Sequence, residues 1–208
     1  MKKRNVLLLV AILLLLSSVS YAQEIGLKKN DFKFGPKAGL NLSFVSASGV
    51  PEFSPQFKPS FHAGAMFNYH FGFRDELSAP GTGWFGLQAE ILYSAQGFKS
   101  DYGDQTFNYL SVPILAKVYF TKELSLEVGP FFNYLISVSA AKMTINGTKL
   151  NNLSDLSGGF DLGVCGGLSY ELGIGFLMGV RYSYGFSDMA NNLNWKNSNL
   201  AVSIGWLF

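Results

Sequence analysis

The last eleven residues, Ser198–Phe208, constrain the fold of this chain more than any other segment. Successive side chains of an extended strand point to opposite faces of the sheet. One face of this segment carries the apolar side chains Leu200, Val202, Ile204, Trp206 and Phe208, and the other carries Asn199, Ala201, Ser203, Gly205 and Leu207. Large apolar residues on one face and mostly small or polar residues on the other are typical of a strand between lipid and a polar barrel interior. The segment therefore predicts a membrane-spanning strand.

The N-terminus has the pattern of a secretory signal peptide. A basic start is followed by the apolar run Val6–Leu16 and then by small residues up to Ala22. The run is shorter than the ~20 residues that a helix needs to span a bilayer, so a signal peptide is favoured over a transmembrane helix. We expect cleavage after Ala22, which makes residues 1–22 the signal peptide and residues 23–208 a single outer-membrane β-barrel domain.

Charge and composition exclude several classes of protein. The chain has 16 basic and 14 acidic residues, and cleavage would remove three basic ones, so the mature chain would be near −1. Such a chain has no overall basic field that would attract nucleic acid. Charged residues make up 14%, against ~25% in typical soluble domains. The single cysteine, Cys165, excludes an intramolecular disulfide framework and a cysteine-ligated zinc site.

The rest of the mature chain resolves into segments with the same two-residue alternation. The eight predicted strands are about Lys33–Ser43, Ser60–Phe71, Trp84–Lys99, Thr106–Phe120, Leu124–Ser137, Gly158–Glu171, Gly175–Gly185 and Ser198–Phe208. No segment shows a sustained helical period. Pro36 and Pro113 lie inside predicted strands, where each would lose a ladder hydrogen bond, and we expect β-bulges at both.

The lengths of the connections predict the topology. Long connections rich in Asn, Ser, Gly or Pro are found at Phe44–Pro59, Ala140–Ser157 and Phe186–Asn197, whereas Thr121–Glu123 and Leu172–Gly173 are tight. Short periplasmic turns and long external loops are the outer-membrane pattern. An even number of strands then places both termini in the periplasm. The predicted fold class is all-β, an eight-stranded antiparallel up-and-down transmembrane β-barrel.

A soluble barrel of the lipocalin type is the alternative, and the distribution of charge decides between the two. The charged and histidine side chains share the mostly polar face of the strands: Lys37, His62, His70, Glu90, Lys117, Glu127, Asp161, Glu171 and Arg181. That face also has many Gly and Ser residues, which a water-exposed surface would not need. The opposite face is almost free of charge, and charge on a lipid face costs about 2–4 kcal/mol at the midplane. This favours the membrane barrel.

The interior of an eight-stranded barrel is just wide enough for its own side chains to fill. Arg181 cannot shed its charge, so it needs carboxylates inside the barrel. We expect an interior charge network of mixed sign that plugs the lumen, formed by Lys37, Glu90, Lys117, Glu127, Asp161 and Arg181. The alternative is that these charges line a path for a substrate or an ion.

Several segments together carry a resemblance to a known family. They are Glu90–Gly97, Tyr109–Phe120, Leu126–Phe132, Val180–Phe186 and the closing strand. The chain resembles the PorT-like family of porin-type outer-membrane barrel proteins over roughly residues 33–208. The resemblance implies an eight-stranded barrel, mostly without an assigned activity. One branch of that family serves a secretion system that exports proteins with C-terminal signals.

The sequence has no nucleophile motif or phosphate loop, so we expect no enzymatic activity and no cofactor. His62 and His70 lie eight residues apart on one strand, too far for a shared metal ion at ~3.3 Å per residue. We expect a structural or interaction barrel with its function in the extracellular loops or partner subunits. The alternatives are a narrow porin-like channel, a secretion-system accessory barrel and a lipid-modifying enzyme. The expected partners are outer-membrane lipid, the barrel-insertion machinery reading Phe208 as an assembly signal, and an unidentified outer-membrane or periplasmic protein.

Overall fold

The structure is a computed structural model of the 208-residue chain. It describes residues 31–47, 56–71, 85–99, 105–121, 123–140, 144–145, 148–149, 159–187 and 195–208. The predicted signal peptide, residues 1–22, lies outside the described residues, as do the middle parts of the long connections.

Eight long strands close into a barrel. They are β1 (Asp31–Ala47), β2 (Gln56–Phe71), β3 (Phe85–Lys99), β4 (Gln105–Tyr119), β5 (Leu124–Ala140), β8 (Phe160–Glu171), β9 (Phe176–Gly185) and β10 (Trp195–Trp206). Each pairs antiparallel with the next long strand, and β1 closes the barrel against β10. Two short strands, β6 (Thr144–Ile145) and β7 (Thr148–Lys149), pair with each other between β5 and β8. The prediction of an eight-stranded antiparallel up-and-down barrel is confirmed.

The two-residue alternation sorts the side chains between the lumen and the outer surface. Lys117 and Glu90 are fully buried in the lumen, whereas Leu40 and Ile204 are 68% and 56% exposed on the outer surface. Buried apolar residues also lie inside, as in the cluster of Met66, Leu177 and Leu207. The core of this protein is therefore the lumen, and its outer surface is apolar.

Aromatic side chains are exposed on the outer surface towards both ends of the strands. The end with the tight turns, here called the turn end, has Phe32, Phe34 and Phe120, and the opposite long-loop end has Phe57, Tyr134, Phe160 and Phe186. Two such bands flank the apolar surface of membrane barrels, where aromatic rings lie at the level of the lipid headgroups.

Several strands extend further towards the long-loop end than the sequence pattern predicts. β1 continues to Ala47, β2 already begins at Gln56, and β5 continues to Ala140. The predicted loop Ala140–Ser157 also contains the short pair β6 and β7. Hydrogen bonds between strands do not depend on an apolar face, so pairing continues where the alternation has faded. The alternation reports only the lipid-facing part of each strand.

The prediction of bulges at the two prolines is wrong. The register shifts lie elsewhere, between Phe57 and His62 on β2 and between Asn108 and Tyr109 on β4. At Pro113 the pairing of β3 with β4 is interrupted but resumes in the same register. A proline removes one donor without adding a residue, so the ladder loses a hydrogen bond and the register is kept.

The last two residues continue the ladder beyond β10. Phe208 N–H donates to the carbonyl of Phe34 at 2.9 Å, and the Phe34 N–H donates back at 3.4 Å. The Leu207 N–H donates to the carbonyl of Gly175 at 2.8 Å. Phe208 therefore holds β1 at the turn end, where the barrel closes.

Neighbouring groups approach Gly163 so closely that they leave no room for a side chain. A Cβ at Gly163 would lie 2.1 Å from the Tyr184 carbonyl oxygen and 2.5 Å from the Phe131 ring. We expect Gly163→Ala to lower the free energy of unfolding in urea by about 1–3 kcal/mol, as overpacking does. Gly173→Ala is the matched control, because a Cβ there meets nothing within 4 Å. Equal stability of the two variants would contradict this account.

Candidate functional site: the charged lumen

Arg181 is the centre of a buried cluster of charges in the lumen. Its Nη1 and Nη2 donate to Glu90 Oε2 and Oε1 at 2.8 and 2.7 Å, and its Nε donates to Glu127 Oε1 at 2.7 Å. Lys37 Nζ donates to Glu90 Oε1 at 2.7 Å. The structure thus brings together four of the six residues expected in the charge network. We call Lys37, Glu90, Glu127 and Arg181 the charged layer.

The charged layer crosses the lumen from wall to wall. Its residues come from β1, β3, β5 and β9, which are every second strand around the barrel. The strands of Glu90 and Arg181 lie on opposite sides of the circle, so their two hydrogen bonds span the interior. The planar guanidinium fork matches the two carboxylate oxygens, a geometry that lysine does not offer.

Hydrogen bonds satisfy the most buried carboxylate of the charged layer. Glu90 accepts from Arg181, from Lys37 and also from the Gln88 side-chain amide. Glu127 uses Oε1 for Arg181, while its Oε2 has no hydrogen-bond donor among the described residues. Paired charges with several hydrogen bonds are the form in which buried charge is tolerated.

Lys117 lies beside the charged layer. Its Nζ donates to Gln88 Oε1 at 3.1 Å and lies 5.5 Å from the centre of the Tyr119 ring. In the ladder it is directly opposite Glu127, whose Oε1 accepts from Arg181. Lys117 therefore joins the network through the Gln88 amide, which links it to Glu90.

Asp161 differs from the expectation, because it does not contact Arg181 in the structure. It is the second residue of β8, at the long-loop end, and it pairs across the ladder with Asn133. Asn133 Nδ2 donates to Asp161 Oδ2 at 3.4 Å. Asp161 and Arg181 share the inner face, but they lie at different heights along the barrel axis.

A second ion pair lies at the turn end, and sequence reasoning missed half of it. Lys33 Nζ donates to Glu171 Oε1 at 2.7 Å, and both side chains are buried. Glu171 was placed on the inner face by the alternation. Lys33 lies four residues before Lys37 in β1, so the two side chains point to the same face. This spacing could have predicted that Lys33 faces inward.

A small polar cavity of about 40 Å³ lies on the long-loop side of the charged layer. Its lining includes Asn41, His62, Ser203, Cys165 and Arg181. His62 Nδ1 contacts Asn41 Oδ1 at 2.9 Å and its Nε2 contacts Ser203 Oγ at 3.1 Å. Both ring nitrogens of His62 thus contact neutral polar groups in this wall.

Aromatic rings lie in the lumen near the long-loop end of β3 and β4. Phe98, Phe107 and Tyr109 are buried, with ring centres 6.2 Å apart for Phe98 and Phe107 and 6.5 Å apart for Phe107 and Tyr109. Along the axis, the lumen therefore has an ion pair at the turn end, the charged layer, the polar cavity and an aromatic cluster.

The described residues contain no cluster of three or more His, Cys, Asp and Glu side chains arranged to hold a metal ion. His70, the other histidine of β2, stacks against Tyr119 with ring centres 4.4 Å apart.

Within the described ranges, no helix has the length and apolar character needed to cross a membrane.

Solved structures of outer-membrane proteins resemble the fold. Ail, the attachment invasion locus protein of Yersinia pestis, is 15% identical with a TM-score of 0.47, and the match covers 87% of this chain and all of Ail. OprG from Pseudomonas aeruginosa is 14% identical with a TM-score of 0.45, covering 88% and 98% of the two chains. Neisserial surface protein A is 13% identical with a TM-score of 0.46, covering 84% and 97%.

Sequence comparison gives the family. No curated protein sequence matches the chain. The family model described as outer membrane protein beta-barrel domain matches residues 21–191, which is most of the chain. The matched range includes all of β1–β9, whose apolar outer surface and polar lumen are described above. The chain belongs to the outer membrane protein β-barrel domain family and is an eight-stranded outer-membrane barrel.

Proposed function

We propose that this protein is a structural or interaction barrel of the outer membrane whose lumen is plugged by its own side chains. Its activity is then carried by the extracellular loops or by partner subunits. The observation that carries the proposal is the charged layer, in which Arg181 on one wall binds Glu90 on the opposite wall. The proposal assigns the protein no cofactor and no enzymatic activity.

The energetics of the charged layer support a closed lumen. An ion that passes through must separate Arg181 from Glu90 or Glu127, or squeeze between side chains that are at most 7% exposed. Breaking a buried pair leaves charges uncompensated, which costs about 3–5 kcal/mol. Lys37 and Gln88 add further hydrogen bonds to the same carboxylate of Glu90, so one separation disturbs several contacts.

A narrow channel is the second candidate, and the polar cavity favours it. A cavity of about 40 Å³, lined by amides, hydroxyls and Arg181, lies directly beside the charged layer. A rearrangement of Arg181 towards this space would open the lumen. Conductance therefore separates the two functions.

Within the outer-membrane family, we propose that the chain is a PorT-like barrel. The segments Glu90–Gly97, Tyr109–Phe120, Leu126–Phe132 and Val180–Phe186 support this finer placement. A PorT-like barrel would bind an outer-membrane or periplasmic partner protein. The pair would act by itself or as an accessory of a secretion system. Co-purification from native membranes in mild detergent is the direct way to identify that partner.

We propose that both termini lie in the periplasm, and the topology supports this orientation. The even number of strands places Asp31 and Phe208 at the same end, together with the tight turn at residues 172–175. We predict that single cysteines introduced into Phe44–Pro59 or Phe186–Asn197, in a Cys165→Ser background, react with an impermeant label on intact cells. A cysteine at Gly173 should stay unlabelled, and the reverse pattern would overturn the orientation.

The assembly prediction concerns Phe208. We propose that the barrel-insertion machinery reads this residue, which also forms two backbone hydrogen bonds with Phe34. Deletion of Phe208 should lower the amount of heat-modifiable barrel in outer-membrane fractions and increase degradation. Phe208→Tyr, which keeps an aromatic residue and the backbone bonds, should restore it. Wild-type amounts of folded barrel after the deletion would show that Phe208 is no signal.

The prediction for the lumen compares the wild type with Arg181→Ala. The wild-type barrel in planar bilayers should show no steady conductance. In Arg181→Ala, Glu90 and Glu127 lose their shared partner, so we expect a loss of about 3–5 kcal/mol in the free energy of unfolding and open-channel events. Arg181→Lys keeps the positive charge but not the planar guanidinium. It should lose less stability and show fewer open-channel events than Arg181→Ala.

A control and a contrary outcome complete this test. Glu123→Gln removes a partly exposed charge in the β4–β5 turn and should change stability by less than about 0.5 kcal/mol. Steady conductance of the wild type, or an Arg181→Ala barrel as stable as its parent, would favour the hydrated channel.

A further inference from the structure

A group of buried polar side chains at the long-loop end of the lumen is separate from the charged layer. Asp161, Asn133 and Asn197 are 4%, 2% and 3% exposed. The Asp161 carboxylate accepts from the Asn133 and Asn197 amides and from the Ser187 backbone N–H, and Asn197 also donates to the Gln96 side chain. The three residues come from β8, β5 and β10, so β9 lies between two of them.

Gly185 of β9 makes room for this group. A Cβ at Gly185 would lie 2.6 Å from Asp161 Oδ1 and 2.9 Å from Asp161 Oδ2. Any larger residue would push the carboxylate away from the wall. The missing side chain therefore lets Asp161 lie across β9, on the side of Asn197.

This group has more hydrogen-bond acceptors than donors. Asp161 Oδ1, Asn133 Oδ1 and Asn197 Oδ1 are buried, and none of the three has a donor among the described residues. Turning the Asn133 amide over does not help, because its oxygen would then face Asp161 Oδ2. A buried acceptor without a donor destabilises the fold, and more so when it is charged. These three oxygens are therefore available to a hydrogen-bond donor or a cation.

The lumen's own cations are engaged elsewhere. Arg181 binds Glu90 and Glu127, and Lys37 also binds Glu90. Lys33 pairs with Glu171 at the other end of the barrel, and Lys117 donates to the Gln88 amide. Among the described residues, no Lys or Arg is paired with Asp161.

We propose that Asp161, Asn133 and Asn197 bind a small hard cation, best fitted by Ca²⁺. Carboxylate and amide oxygens are the ligands that Ca²⁺ takes, and its flexible coordination number of 6–8 leaves room for water ligands. The polar cavity, which Asn133 and Asn197 line, provides space for that water. Mg²⁺ fits less well, because it demands near-octahedral geometry and dehydrates reluctantly. With a single carboxylate the site binds weakly, at the affinity of extracellular calcium modules.

The test measures thermal stability of the full-length barrel with and without calcium. The protein is folded in zwitterionic detergent, which removes anionic lipid as a second calcium binder. Its unfolding midpoint is read from heat-modifiable gel mobility in CaCl₂ or in EDTA, at constant ionic strength set with NaCl. Calcium at ten times its dissociation constant should raise the wild-type midpoint by about 3–6 °C.

Matched variants show where the ion binds. Asp161→Asn and Asn133→Ala should lose the calcium-induced rise, whatever their own midpoints in EDTA. Glu171→Gln removes a buried carboxylate at the opposite end and should keep it. Terbium luminescence sensitised by tyrosine gives a direct reading of binding, and it should fall at least tenfold in Asp161→Asn.

Three outcomes would overturn the proposal. They are no calcium-dependent rise in the wild type, an equal rise in Asp161→Asn, and an equal rise with NaCl alone. None of them depends on whether the lumen conducts, so failure here is distinguishable from failure of the proposed plug.

Discussion

Every backbone N–H and C=O group of a strand in lipid needs a hydrogen-bond partner, and a closed ladder supplies them all. That requirement determines most of this structure. It joins β1 to β10, extends the pairing to Phe208, and leaves only two choices for each side chain, lipid or lumen. The positions that face lipid carry apolar residues such as Leu40 and Ile204, because lipid cannot solvate charge. The buried carboxylates and cations of the described strands, such as Glu90, Lys117 and Arg181, consequently lie inside.

Closure also limits the width of the lumen, and the width decides how the charges can be arranged. With eight strands, side chains from opposite walls meet. Arg181 can therefore bind Glu90 across the interior while its Nε binds Glu127. A wider barrel would leave the same residues facing water, where an ion pair contributes little. The charged layer is thus a consequence of strand number as much as of residue type.

The sequence predicts the fold well because the alternation of side chains between two faces is a local property of a strand. It predicts the strands and which residues face inward, including Lys37, Glu90 and Arg181. It does not predict height along the barrel axis, which depends on the stagger between strands. Parity alone could not separate Asp161 from the charged layer, and the pairing of Asp161 with Asn133 is what places it near the long-loop end. Strand length beyond the lipid is likewise invisible to an apolar pattern.

The stagger between neighbouring strands determines how the buried charges are distributed along the barrel axis. Among the described residues, the buried Lys, Arg, Asp and Glu side chains are four cations and four anions: Lys33, Lys37, Lys117 and Arg181, and Glu90, Glu127, Asp161 and Glu171. The total is neutral, but the distribution along the axis is uneven. The charged layer together with Lys117 has three cations to two anions, whereas Asp161 is the one buried charge that the described residues place at the long-loop end. The surplus positive charge and the surplus negative charge are held apart by the rigid ladder, so neither can neutralise the other by contact. Each surplus charge is therefore compensated by a nearby group. For Lys117 this group is the Gln88 amide, and for Asp161 it is the proposed bound cation.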